Sequence, residues 1–273
     1  MVYWQLCFQT VATILIQCYD DSMIYKIVDA HCDTIGLIEE ASGCYDFCSR
    51  NESGHLDVPR LREGGVNLQF FALYIREEYA KGGALSYCLR LVDSFYETLS
   101  RCNSDLQLIG SAAELEQVMD GPKVGALLSI EGGEALEGEL SALRMFFRLG
   151  VRALGLTWNH PNQLAVGVGQ GVKGEGLSEF GKRVVREMNR LHMVVDLAHI
   201  NEQGFNDAIN MSDVPVIVSH ANTRALHDHP RNLSDEQLKT LSNSDGVVGL
   251  TFYPDFIAPA GATLDKLVDH FIH

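Results

Sequence analysis

Residues 27–33 read IVDAHCD, a short apolar run that ends on a histidine and an aspartate two positions apart. Side chains on an extended segment alternate faces, so His31 and Asp33 point one way and Cys32 the other, placing two metal donors on one rigid element. The design recurs along the chain. ALLSIEGG carries Glu131 after an apolar run, MVVDLAH carries His199 and PVIVSHA carries His220. Val, Ile, Leu and Ala dominate each run, the composition of strands buried on both faces. Ends of parallel barrel strands converge on a single face, where chemistry is generally found. Five donors at strand ends therefore predict a metal site at one mouth of a (β/α)8 TIM barrel, an α/β fold.

Working outward, strand signals fall near 26–31, 66–74, 123–130, 151–157, 192–198, 214–219 and 246–252, seven in all. Amphipathic helices separate them. Segment 84–101 carries Leu85, Leu89, Val92, Tyr96 and Leu99 at helical spacing, and 179–191 carries Phe180, Val184, Met188 and Leu191. Ser111 with Glu114, and Ser234 with Gln237, fit the capping box at helix starts. Gly121 and Gly150 fit left-handed helix ends. Repeated strand–helix alternation implies a parallel sheet. Seven strands, with His273 inside the helix after the seventh, read as a barrel truncated before its eighth strand.

The 273 residues suit one barrel domain, and a 46% hydrophobic content allows a large core. With 21 basic against 36 acidic residues, the net charge of −15 opposes nucleic acid and anionic membranes as partners. Seven cysteines without paired spacing fit reduced thiols in a cytoplasmic protein better than a disulfide framework. Residues 1–22 stand apart. Val2 to Tyr19 is apolar and uncharged, short for a membrane span of ~20 residues, and lacks a basic leader region. Residues 1–22 are read as an appendage, with Met23 opening the barrel at 23–273. A start codon assigned too far upstream would also account for the appendage. The glycine-rich stretch 167–176 lacks the spacing of a phosphate-binding loop and reads as a loop above the barrel mouth.

Beyond the individual residues, the segments VDAHCDT, SIEGGEAL, GLTWNHPN, VVREMNRLHMVVDLAH, VIVSHANTRALHDHPRNLSDEQL and GVVGLTFYPDF run in order across residues 27–256. In these the chain resembles the membrane (renal) dipeptidase family, zinc peptidases of family M19. The resemblance implies two Zn2+ ions: His31 and Asp33 on the first, His199 and His220 on the second, and Glu131 bridging both as the catalytic carboxylate. It implies hydrolysis of dipeptides through a metal-bridging hydroxide, the chemistry that a shared carboxylate and two close cations support. Arg231 in HPRNLSD matches the family arginine that binds the substrate carboxylate, for which a guanidinium fork is suited. His160, two residues after Trp158, stands in for a substrate-binding histidine. Family members often dimerise, so a homodimer is also expected.

One departure bears on activity. The family carries an Asp-Phe-Asp-Gly segment on its eighth strand, and Asp255-Phe256 lacks the second Asp and the Gly. Two alternatives follow: a zinc-binding remnant without turnover, or an amidohydrolase-type barrel acting on another amide or ester.

Overall fold

The structure is a computed structural model, and it describes residues 26–41, 45–169 and 174–273. The apolar appendage and Cys7, Cys18 and Cys44 lie outside the described residues, as does the centre of the glycine-rich stretch. Two compact units divide between Arg152 and Ala153.

The first unit opens with β1 (Ile27–Asp29), then α1 (Thr34–Glu40) and α2 (Val58–Glu63). β2 (Val66–Tyr74), α3 (Glu77–Ala80), α4 (Ala84–Arg101) and β3 (Leu106–Leu108) follow. α5 (Ala112–Met119), β4 (Val124–Glu131), a 3-10 turn at Gly133–Leu136 and α6 (Leu140–Arg148) complete it. All pairings are parallel. β1 lies on β2 with Val28 opposite Leu68, and β2 lies on β4 from Leu68 opposite Gly125 to Tyr74 opposite Glu131. β3 joins β4 as an additional strand beside the seven expected, with Leu106 opposite Val124. Three residues of LQL are too few to show a period, so only pairing reveals them. Gly125 leaves room where these strands meet: a Cβ there would lie 2.9 Å from the Leu68 side chain and 3.0 Å from those of Ile109 and Val118.

Core packing corrects one expectation about a helix face. α4 has the anticipated bounds, yet it buries Tyr87, Cys88, Leu91, Val92 and Phe95, while Leu89 is 43% exposed. Two apolar stripes run side by side on this helix, and Phe71 selects the second by receiving Phe95 edge-on at 5.5 Å. Phe47 packs on Phe71 at the same spacing, which extends an aromatic column through the core. Cys48 and Cys102 form a disulfide. This overturns the expectation of reduced thiols, at least for that pair; a separation of 54 residues hides from spacing what the fold brings together. Cys32 and Cys88 are free thiols.

The last three residues of β5 (Val151–Gly155) open the second unit. α7 (Glu179–Leu191), β6 (Val194–Asp196), α8 (Glu202–Met211), β7 (Ile217–Val218) and α9 (Asp235–Asn243) follow. β8 (Val247–Val248), α10 (Pro254–Ile257) and α11 (Leu264–Ile272) end it. Parallel pairing runs β5–β6–β7–β8, with Ala153 opposite Val194, Asp196 opposite Ile217 and Ile217 opposite Val247. α7 buries Val184 and Met188 as its spacing predicts, whereas Phe180 and Leu191 are half-buried.

Helix ends follow local chemistry. Ser234 and Gln237 make the full capping box. At Ser111 the side chain accepts from the Glu114 N–H, but the Glu114 carboxylate takes the N–H of Gly110 at 2.8 Å instead of that of Ser111. Gly150 has φ +95, the left-handed end expected of it. Gly121 does not: the N–H of Gly121 turns back to the Val118 carbonyl without a left-handed residue.

Candidate metal centre

In the first unit β1 stops at Asp29, so His31 and Asp33 lie beyond the strand end, with Asp33 at the N-cap of α1. Their rigidity comes from hydrogen bonds around them. The His31 N–H donates to Asp29 Oδ1 at 3.0 Å, and the Ala72 N–H of β2 donates to the Cys32 carbonyl at 2.9 Å. The two donors converge although strand alternation does not apply to them: His31 Nε2 lies 3.4 Å from Asp33 Oδ1. Glu131, the last residue of β4, brings Oε2 to 3.7 Å from the same nitrogen and is buried. Tyr74 stands opposite Glu131 in the β2–β4 ladder, and burial together with the Glu131 charge pushes its phenol upward. Tyr74 did not stand out in sequence; its place beside Glu131 comes from the strand register.

In the second unit His199 follows β6 in a left-handed conformation, φ +67. A non-glycine residue there is uncommon and is held in place by its surroundings. The hold is visible: the Val168 N–H donates to the His199 carbonyl at 2.8 Å. His220 lies two residues past β7. The two rings meet edge-on with Nε2 atoms 2.9 Å apart. Behind them, His199 Nδ1 contacts Asn159 Oδ1 at 2.8 Å and His220 Nδ1 contacts Ser219 Oγ at 2.8 Å. Ser219 in turn bonds Asp196, which is buried at the end of β6. Asn159, Asp196 and Ser219 were not singled out by sequence, although two of them sit inside the runs VVDLAH and VIVSHA.

His160 sits beside Trp158, ring centroids 5.4 Å apart, and Trp158 in turn lies 6.1 Å from His199. Arg231 is buried, donates from Nη2 to the His220 carbonyl at 3.1 Å, and has its guanidinium 5.3 Å from the Phe256 ring centre. The ring of His229 packs on the same phenylalanine at 4.6 Å. Asn232 Nδ2 holds the Phe256 carbonyl at 2.8 Å, and His227 Nε2 contacts that of Asp255 at 2.9 Å. His227 and His229 thus have structural work in this loop. His270 is buried as well: it contacts Thr223 at Nδ1 and the Ile257 carbonyl at Nε2, joining α11 to the loop after β7.

The family model for membrane dipeptidase, peptidase family M19, matches residues 23–273. The chain belongs to this family. Two uncharacterized dipeptidases of Schizosaccharomyces pombe are 31% and 32% identical to it over 270 and 269 residues, 91% of the chain in each case. The chain spans 65% of the length of these relatives. A metallopeptidase from Rhodobacter sphaeroides, solved with a phosphinate mimic of the dipeptide L-Ala-D-Ala, superposes with a TM-score of 0.84 at 29% identity, covering 91% of this chain and 81% of that one. An amidohydrolase from Pseudomonas aeruginosa superposes less fully, with a TM-score of 0.71 at 25% identity over 78% of this chain and 63% of that one. The α/β fold of this M19 chain is thus that of solved M19 metallopeptidases, and membership of the family implies a metal cofactor. Among its described residues no helix is long and apolar enough to cross a membrane.

Proposed function

We propose that this M19 chain carries the site of a zinc-dependent dipeptidase with two ions: His31 and Asp33 hold one, His199 and His220 the other, and Glu131 is shared. What carries the reading is that all five donors occur, in family order, in a chain the family model matches almost throughout. The donor set fits the metal. Imidazole nitrogens and carboxylate oxygens are the ligands zinc takes in hydrolases, and the Nε2 atoms of His199 and His220 lie together, 2.9 Å apart. When bound, the zinc ions would polarise the scissile carbonyl and lower the pKa of water to near neutrality.

The chain's own side chains supply the rest. Arg231, buried and stacked on Phe256, would receive the free carboxylate of a dipeptide, a geometry that a guanidinium matches with paired hydrogen bonds. Anchoring that terminus fixes the distance to the scissile bond, so dipeptides are favoured over longer peptides. His160, beside Trp158, would orient the substrate. The dipeptide mimic bound to the Rhodobacter relative supports small dipeptides, L-Ala-D-Ala among them, as the class to try first. Cys48–Cys102 favours an oxidising compartment over the cytoplasm, and peptide mapping of the native protein under non-reducing conditions tests that placement.

The alternative is zinc uptake by the same donors without turnover. One experiment separates the two: zinc stoichiometry measured alongside hydrolysis of a dipeptide panel, with lactones and cyclic amides included. Two zinc ions with chelator-sensitive dipeptide hydrolysis support the dipeptidase. Zinc without turnover supports the remnant, and no zinc uptake rejects both.

A further inference from the structure

We propose that Asn232 is a positioning residue for the carboxylate anchor: its side-chain amide ties the backbone beside Arg231 to the backbone of Phe256, so that the guanidinium is held over the ring and aimed before a dipeptide arrives. The inference rests on the reading of Arg231 as the anchor and goes beyond it by naming what fixes its direction.

Loop 224–232, which carries Arg231, starts and ends at one place in the second unit. Thr223 pairs with Leu233 in a parallel bridge, the Arg224 N–H donates to the Leu233 carbonyl at 2.8 Å, and the Leu233 N–H donates to the Asn222 carbonyl at 2.9 Å. Asn222 and Asn232 lie at these two ends, each 1% exposed. Asn222 makes a two-way pair with the Thr251 backbone, Nδ2 donating to its carbonyl and Oδ1 accepting from its N–H, both at 3.1 Å.

Asn232 has both polar atoms of its side chain engaged. Its Oδ1 accepts from the Asn222 N–H at 3.1 Å, and its Nδ2 donates to the His227 carbonyl at 3.0 Å and the Phe256 carbonyl at 2.8 Å. These three partners fix the orientation of the amide, since turning it over would face its oxygen to two carbonyls. They also dictate the residue type. One acceptor and two donors on a single methylene make an asparagine; ionised aspartate has no donor, and glutamine sets the amide a methylene further out. A buried donor or acceptor left without its partner is costly, so the arrangement resists displacement.

The groups that this amide joins give it a role. Asn232 follows Arg231, whose Nη2 donates to the His220 carbonyl at 3.1 Å. The carbonyl that Asn232 holds belongs to Phe256, whose ring centre lies 5.3 Å from the Arg231 guanidinium. One side chain therefore sets both halves of the guanidinium–ring contact. A guanidinium fixed in advance loses less freedom on binding, and a misplacement of ~1 Å costs up to about 100-fold.

The test uses the whole 273-residue chain, labelled with 15N-arginine and read at the side-chain Nε–H by 1H–15N correlation. Arg231→Lys assigns the Arg231 signal, and Phe256→Leu marks its position without the ring. Asn232→Asp, which keeps the size and removes both donors, should move the Arg231 signal toward its Phe256→Leu position while the arginines of the first unit stay. An Arg231 signal unmoved by Asn232→Asp overturns the proposal. Calorimetry on the zinc-treated chain adds a second arm, with the phosphinate mimic of L-Ala-D-Ala as probe. Asn232→Asp should weaken its binding about 10-fold, leave that of its C-terminal amide unchanged, and add nothing in an Arg231→Ala background. A merely structural role would weaken acid and amide alike and add to Arg231→Ala, and that result also overturns the proposal. If the probe does not bind, or Arg231→Ala leaves its binding unchanged, the anchor reading fails, and the arginine spectrum still decides whether Asn232 holds Arg231 on Phe256. Should Asn232→Asp not fold, the unmodified chain decides: a 1H–15N nuclear Overhauser effect at Arg231 Nε as high as that of the backbone is expected, and the low value of a freely moving guanidinium overturns the proposal.

Discussion

At the scale of single residues, the proposed two-ion site predicts that the donors differ in how much each ion depends on them. His220→Ala should reduce bound zinc from about two equivalents to about one, whereas Glu131→Ala, which removes the shared carboxylate, should reduce both; metal analysis after dialysis reads the difference. Phe256 offers a subtler test. Its ring lies 5.3 Å from the Arg231 guanidinium, and such a contact in a partly desolvated setting is worth about 0.5–2 kcal/mol. Phe256→Ala should raise KM for dipeptides about 3- to 10-fold with kcat little changed, and should leave dipeptide C-terminal amides, which lack the carboxylate, unaffected, while Phe256→Tyr should be silent. An equal rise for the amides would mean general loosening of the loop instead. The five proposed donors drew attention in sequence because histidines and acids stand out at the ends of apolar runs, and Arg231 drew attention through the family segment HPRNLSD. Asn159, Ser219 and Tyr74 did not, because residues of these types are common and only a measured distance to a ring or a ladder partner gives them a role.

At the scale of elements, two devices in the first unit have measurable consequences. Asp57 caps α2 and is fully buried. Burial alone would raise its pKa, but the Arg60 side chain and the N–H groups of Asn51 and Arg60 outweigh that and lower it from 3.8 to about 2. A carboxyl depressed on folding adds stability above its unfolded pKa and loses it as pH falls through the folded value. About 2 kcal/mol should therefore disappear between roughly pH 4 and pH 2, a loss that Asp57→Asn should remove from the pH profile of urea unfolding. The second device is Cys48–Cys102, which ties the segment before α2 to the end of α4 across 54 residues. On the chain-entropy argument a closed loop of that length contributes about 4 kcal/mol, so Cys48→Ser/Cys102→Ser should lower thermal stability, and added reductant should bring the unmodified protein down to the same level. Unchanged melting in the double variant would show the bond to be absent or without effect. Helix bounds at 84–101 and 179–191 were readable from apolar periodicity. The buried face of α4 was not, since the sequence offers two apolar stripes and the choice belongs to Phe71 and its neighbours.

At the scale of the whole molecule, metal and folding should be linked. Ligand that binds the native state stabilises it by mass action, about 4 kcal/mol at a thousand times the dissociation constant. Zinc chloride should raise the melting temperature of the stripped chain and a chelator should reverse it, by amounts that shrink in His199→Ala and His220→Ala. A melting temperature indifferent to zinc would argue against a structural hold on the metal. The seven apolar runs, their alternation with helices and the ordered family segments determined from sequence alone that this is an α/β chain of the M19 family, because burial on two faces leaves its mark in residue type and in the spacing of donors after each run. Tertiary structure alone decided the rest. β3 exists because β4 has an edge to pair with, and Cys48 meets Cys102 because packing brings the turn before α2 to the end of α4. Each is a contact between residues far apart in the chain, and the distance between such residues is set by packing and not by their order.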